Sequence, residues 1–298
     1  RWLSPPAFSL PTVLDPATKG NVMSLKKFER IAVCGGTHGN ELTGVSLVRK
    51  WLENSTALER RSFQAQPFLS NPRAVEENRR YIDQDLNRCF LLKELADPSL
   101  SGYEQNRAKV LNQRFGPKDN PSYDLLIDLH TTTSNMGAGI IIEREDRFAR
   151  RIAAHIHENA PEVAILAYAG AEDYPYLAEI TPNSIEIEVG PVPQGVIRAE
   201  TVEKSERLVH QILDFVDAWN RGETSESERS FPVFTFSSNL DYIRRPDGAI
   251  WSMVHPLRQD RDYERVEPGD PMFLTFDGET VPYDGKEPVW PIFIKIGR

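Results

Sequence analysis

From Phe28 to Trp219, short apolar runs alternate with stretches whose apolar residues recur at every third or fourth position, and nothing else in the chain narrows the fold so far. Ile31 to Cys34 reads as a strand, and Glu41 to Glu53 as a helix with Leu42, Val45, Val48 and Leu52 along one stripe. Pro67 to Leu69 reads as a short strand closed by Ser70-Asn71-Pro72, and Arg79 to Phe90 follows with no period, as a loop of functional length. Tyr103 to Phe115 is predicted helical, with Gly116-Pro117 as its stop. Tyr123 to His130, Ile140 to Glu143, Val163 to Tyr168 and Ser184 to Val189 read as strands. Asp146 to Asn159 and Ala199 to Trp219 read as helices, the second striped by Val202, Leu208, Ile212, Phe215, Val216 and Trp219. Elements in this order predict an α/β fold, a mixed and mostly parallel sheet flanked by helices on both faces.

The polar stretch Asn220 to Ser230 ends that regime. Beyond it, Phe231 to Phe236, Tyr242, Ala249 to Val254, Met272 to Phe276 and Val289 to Ile296 are strand-like and are separated by turns such as Pro246-Asp247-Gly248, which predicts a smaller β-rich domain. The expected division is a loose extension over residues 1–22, a catalytic domain over 23–220 and the β-rich domain over 221–298. Pro5, Pro6, Pro11 and Pro16 deny the extension the continuous helix of a signal peptide, and Met23 reads as a natural start.

With 35 basic and 44 acidic side chains the net charge is −9, which repels nucleic acid and anionic bilayers. No apolar run approaches the ~20 residues of a membrane helix. Cys34 and Cys89 are the only cysteines, too few for a disulfide framework, and a cytoplasmic protein is expected.

The first strand runs into Gly35-Gly36-Thr37-His38-Gly39-Asn40-Glu41, where a turn rich in glycine sets an imidazole and a carboxylate three residues apart. A hydrolytic zinc ion commonly takes two His and one Glu and keeps one position open, so this pair needs one distant partner. His130 closes the apolar run from Leu125 to Leu129, and at the carboxyl end of a strand it faces the same crevice. Asp128 is suited to hydrogen-bond such a ligand. In Ile185-Glu186-Ile187-Glu188-Val189-Gly190 alternation puts both glutamates on one face. Glu188, nearer the turn, is the expected base that takes a proton from water and returns it to the leaving amine. The loop from Arg79 to Arg88 supplies the cations that an acidic chain otherwise lacks. An Arg there can polarise the scissile carbonyl, and an Asn-Arg pair can hold a carboxylate.

Gly35 to Gly44 (GGTHGNELTG), Asn71 to Val75 (NPRAV), Arg80 to Arg88 (RYIDQDLNR), Asp128 to Gly137 (DLHTTTSNMG), Glu188 to Gly195 (EVGPVPQG) and Gly269 to Leu274 (GDPMFL) together resemble the aspartoacylase family. The resemblance runs in order from about Lys26 to the end. It implies a zinc carboxypeptidase-like α/β domain followed by a β-rich domain, one zinc per chain, and hydrolysis of N-acyl amino acids. By the same resemblance His38, Glu41 and His130 are the zinc ligands, and Glu188 is the general base and acid. Arg80 polarises the acyl carbonyl, Asn87 with Arg88 grips the substrate α-carboxylate, and Tyr174 contacts substrate. Two departures bear on specificity. Ala178 stands ten residues before Glu188, where aspartoacylases carry an arginine for the aspartate side chain, and the chain stops at Arg298, before a segment with a pocket tyrosine and lysine.

The expected activity is therefore zinc-dependent deacylation of N-acyl L-amino acids, N-acetyl-L-aspartate foremost, with N-acetylated aromatic or neutral amino acids as the alternative. A non-catalytic metal-binding protein is the reading from another class. The expected partner is the small-molecule substrate, and the family implies a homo-oligomer, dimer or larger.

Overall fold

Strands whose successive side chains point to opposite faces need cover on both sides when every position is apolar, and the chain provides it. It begins with β1 (Pro6–Leu14), β2 (Arg30–Gly35), α1 (Leu42–Glu53), β3 (Gln64–Leu69), α2 (Pro72–Glu76), α3 (Leu92–Leu95) and α4 (Tyr103–Arg114). It continues through β4 (Leu125–Thr131), β5 (Ala138–Ile142), α5 (Arg147–Asn159), β6 (Val163–Ala167), β7 (Asn183–Val189) and α6 (Ala199–Asn220). Five strands follow, β8 (Phe231–Asn239), β9 (Ser252–Val254), β10 (Pro271–Thr275), β11 (Thr280–Pro282) and β12 (Trp290–Pro291). This computed structural model describes residues 6–14 by their backbone, and 27–142, 146–168, 173–224 and 230–294 in full. Residues 1–5 and 15–22 of the expected extension, Glu143, and Ile296 to Arg298 lie outside the described residues.

Nine strands form one sheet in the order β12-β1-β8-β6-β5-β7-β4-β2-β3, and β11-β10-β9 form a second, antiparallel sheet. The ladders β2–β3, β2–β4, β4–β7, β5–β6 and β6–β8 are parallel, whereas β5–β7, β1–β8 and β1–β12 are antiparallel. The large sheet is thus mixed and mostly parallel, as the sequence predicts. Among the described residues no helix is long and apolar enough to cross a membrane.

One face of the sheet presents Ile31, Val33, Leu125, Ile127, Leu129, Ile185 and Ile187 to Val48 and Trp51 of α1, Ile152 and Ile156 of α5, and Leu208, Ile212 and Val216 of α6. The other face presents Ala32, Cys34 and Leu126 to Ala108 and Leu111 of α4 and to Leu86 and Phe90. Alternation therefore sends Asp128, His130, Glu186 and Glu188 to the α4 face. There β2, β4 and β7 end side by side, with His130 in register with Glu188.

One expectation needs correction. Residues 6–14 are not loose but form β1, which pairs with both β8 and β12. The outer edge of β8 carries backbone groups that need partners, and a strand laid along it satisfies them. Pro11 withholds an N–H there, and the ladder shifts register between Ser9 and Thr12. The segment beyond Ser230 is β-rich, as the sequence predicts, and its β8 and β12 join the large sheet. Only β9, β10 and β11 build the small sheet, over a core of Val266, Met272, Phe273 and Val289.

Candidate active site

The turn after β2 is tight because two glycines allow it. Gly36 has φ +70°, and a Cβ on Gly39 would lie 2.1 Å from the Ala74 carbonyl carbon. The turn brings His38 and Glu41 to the end of β4, where a ligand atom from each of His38, Glu41 and His130 falls within 4.8 Å of the others. All three side chains are buried. His38 Nδ1 is 2.8 Å from Glu41 Oε1, and His130 Nδ1 is 3.2 Å from Glu41 Oε2. The other nitrogen of each ring meets a carboxylate, His38 Nε2 at 3.0 Å from Asp85 Oδ1 and His130 Nε2 at 2.8 Å from Asp128 Oδ2. A cation held between Glu41 and the rings would take both Nδ1 lone pairs and leave the ring protons on Nε2, facing Asp85 and Asp128. Acceptors so close to a carboxylate need a proton or a cation between them, and a divalent ion fits this donor set.

The carboxylates around the rings favour a positive charge at this centre, borne by an imidazole proton or by a metal ion. Burial would raise the Glu41 carboxyl, but the charges and hydrogen bonds of His38 and His130 hold it well below the ordinary carboxylate range. Burial would lower the His130 imidazole, and Asp128 and Glu41 instead raise it well above its ordinary value. Asp128 is itself fixed by Thr37 Oγ1, which donates at 2.9 Å, and Glu41 Oε2 also accepts from the Thr131 N–H at 2.9 Å.

A cleft of about 1000 Å³ opens over this cluster, and its wall includes His38, Glu41, Arg80, Asp85, Arg88, Glu188 and Phe293. Arg80 donates from Nη1 to Glu41 Oε1 at 3.2 Å and from Nη2 to Asp85 Oδ2 at 3.1 Å. Burial works against its charge, but Asp85, Glu41 and Glu188 more than offset this and raise its pKa. Glu188 lines the cleft whereas Glu186 does not. Glu186 is buried, and that burial raises its carboxyl despite the nearby charge of His130.

Two of the anticipated substrate residues are not on the wall. Asn87 is buried and its Oδ1 accepts from the Leu177 N–H at 2.7 Å, which fixes the amide with Nδ2 as its other end. Tyr174 stacks on Tyr176 with ring centroids 5.6 Å apart, and the Arg88 guanidinium lies 5.1 Å from the Tyr176 ring. Asp85 is the residue that sequence reasoning did not single out. It orients His38, binds Arg80, and accepts from the Asn87 N–H at 3.0 Å, so it ties the imidazole to the basic loop. Burial opposes its charge, but His38, Arg80 and Arg88 hold its carboxyl far below the ordinary range. An Asp just before the turn Leu86–Arg88 is a helix-capping signal, which was the available hint.

Two imidazoles and a carboxylate set at the strand ends of a doubly covered sheet, with a carboxylate and a guanidinium beside them, make a candidate metal site of the kind that hydrolases use. The succinylglutamate desuccinylase/aspartoacylase catalytic domain matches residues 27–216, and the AstE/AspA barrel-sandwich hybrid domain matches 229–296. The chain belongs to the succinylglutamate desuccinylase/aspartoacylase family. It is 42% identical over 271 residues to a probable aspartoacylase of Trichodesmium erythraeum, covering 91% of this chain and 92% of the relative. It is 39% identical over 284 residues to the N-acyl-aromatic-L-amino acid amidohydrolase (carboxylate-forming) of Rattus norvegicus, covering 91% and 87%. The crystal structure of murine aminoacylase 3 superposes with a TM-score of 0.83 at 39% identity, covering 91% of each chain.

Proposed function

We propose that this chain hydrolyses the amide bond of N-acyl L-amino acids, N-acetyl-L-aspartate foremost, releasing a carboxylate and the free amino acid. The observation that carries this reading is the convergence of His38, Glu41 and His130 within 4.8 Å at the floor of a cleft that Arg80 and Glu188 also line. His38, Glu41 and His130 would hold one zinc ion per chain, which when bound would supply Lewis acidity to the acyl carbonyl and to water. Glu188 takes the proton from the attacking water and hands it to the departing amine nitrogen. Arg80 donates to the carbonyl oxygen as negative charge develops on it. Arg88, with Nδ2 of Asn87, holds the α-carboxylate, and Tyr174 belongs to the aromatic support beneath Arg88. The free, buried Cys34 and Cys89 suit the reducing cytoplasm.

Arg79 is a further guanidinium on the cleft wall and suits an aspartate side chain. A second reading, N-acetylated aromatic or neutral amino acids, is favoured by Ala178. It is fully buried in the turn Leu177–Ile180 and offers no cation. The test compares kcat/KM of the zinc-loaded chain for N-acetyl-L-aspartate and N-acetyl-L-tyrosine. Preference for the first supports the main reading and preference for the second supports the alternative. No turnover of any N-acyl amino acid in a broad panel would leave a non-catalytic metal-binding protein.

A further inference from the structure

Glu104 lies in the first turn of α4, is fully buried, and does not itself line the cleft or belong to the metal cluster. Its Oε1 accepts from the Ile82 N–H at 2.7 Å and from Asn71 Nδ2 at 3.2 Å. Its Oε2 accepts from the Asp83 N–H at 2.9 Å and the Gln84 N–H at 3.3 Å. Three consecutive amides of a loop without regular structure thus converge on one carboxylate. The contact is returned, for Asp83 Oδ2 accepts from the Tyr103 N–H at 2.7 Å and caps the start of α4. Asn71 carries the connection farther. It follows β3, and its own N–H donates to the Gly36 carbonyl at 3.1 Å, inside the turn that presents His38.

We infer that Glu104 is a positioning residue that sets the spacing between the metal-ligating turn and the part of the basic loop carrying Asp85, Asn87 and Arg88. The start of that loop is held separately, because the Arg80 carbonyl accepts from the Gly39 N–H at 3.2 Å. What Glu104 governs is therefore the stretch after Arg80. This inference rests on the proposed reading that Asn87 and Arg88 take the α-carboxylate. Loosening the latch then weakens recognition of that carboxylate more than it slows the bond-breaking step.

The test uses the full zinc-loaded chain and a matched pair of substrates, the preferred N-acyl amino acid and its α-carboxamide, which lacks the charge that Arg88 holds. The unaltered chain favours the acid by roughly 100-fold in kcat/KM. Glu104→Gln turns an amide NH2 toward groups that are themselves donors. It raises KM for the acid roughly tenfold, changes kcat by less than about threefold, and shrinks the preference for acid over carboxamide by about the same tenfold, with zinc content unchanged. Glu104→Asp keeps the charge but is one methylene short of the three amides, gives an intermediate result, and carries the test if the Gln variant does not fold. Folded, zinc-loaded variants with unchanged KM, or with equal losses on acid and carboxamide, overturn the inference. An unaltered chain that does not distinguish the two substrates removes the carboxylate grip, and the inference with it, whatever the variants do.

Discussion

Glu186 and Glu188 stand two residues apart on one face of β7, yet they occupy different surroundings, since Glu188 borders the cleft and Glu186 is sealed beneath it. Alternation put both on the right face, and only the depth of the strand end separates them. Replacing Glu188 with Gln keeps shape and removes the proposed base. Bound zinc, measured by elemental analysis, stays stoichiometric, while kcat falls by about a thousandfold. Asp262 offers a contrast outside the chemistry. Burial pushes its carboxyl up to about 6 despite a hydrogen bond from the Ile294 N–H at 3.1 Å. A folded-state value above the unfolded 3.8 means almost no penalty below pH ~4, where the group is largely protonated in both states, and a penalty that grows as pH rises from there to about 6 and is complete above it. At pH 7.5 that cost is about 3 kcal/mol. Asp262→Asn is therefore more stable than the parent in urea at pH 7.5, and the two unfold alike at pH 4.

At the level of elements, the turn between β2 and α1 is where backbone geometry matters most. Gly39→Ala places a methyl group 2.3 Å from the Ala74 carbonyl oxygen, and main chain cannot yield as a side-chain tip can. The variant loses about 2 kcal/mol or more in denaturant titration and retains less than one equivalent of zinc, because His38 and Glu41 flank the displaced residue. This turn was readable in advance, since an apolar strand followed by clustered glycines and a His-x-x-Glu pattern needs no partner to be recognised. The helices α1, α4, α5 and α6 were readable for a similar reason, each carrying its own stripe. β1 was not, because four prolines mask a strand whose only warrant is the open edge of β8 more than two hundred residues away. Asp85 and Glu104 escaped notice for the same physical reason. Their roles consist of contacts to His38 and to loop amides, and no local periodicity records such contacts.

For the molecule as a whole, a net charge of −9 surrounds a cleft in which Arg79, Arg80 and Arg88 stand among the carboxylates of Glu41, Asp83, Asp85, Glu94 and Glu188, so an anionic substrate is met by individual guanidinium groups and not by the overall field. The ligand cluster joins β2, β4 and the start of α1, and a bound ion therefore stabilises the centre of the large sheet. Stripping metal with a chelator lowers the melting temperature by on the order of 5 to 10 °C, and adding zinc restores it, as calorimetry will register. Phe293, near the far end of the chain, supplies one wall of the cleft, whereas the groups assigned to chemistry all come from residues 38–188. The floor and one part of the wall of the same cleft thus come from distant stretches of the polypeptide. Exchanging the terminal portion with that of a relative would reshape that part of the wall while leaving the hydrolytic apparatus, and the guanidinium groups beside it, as they were.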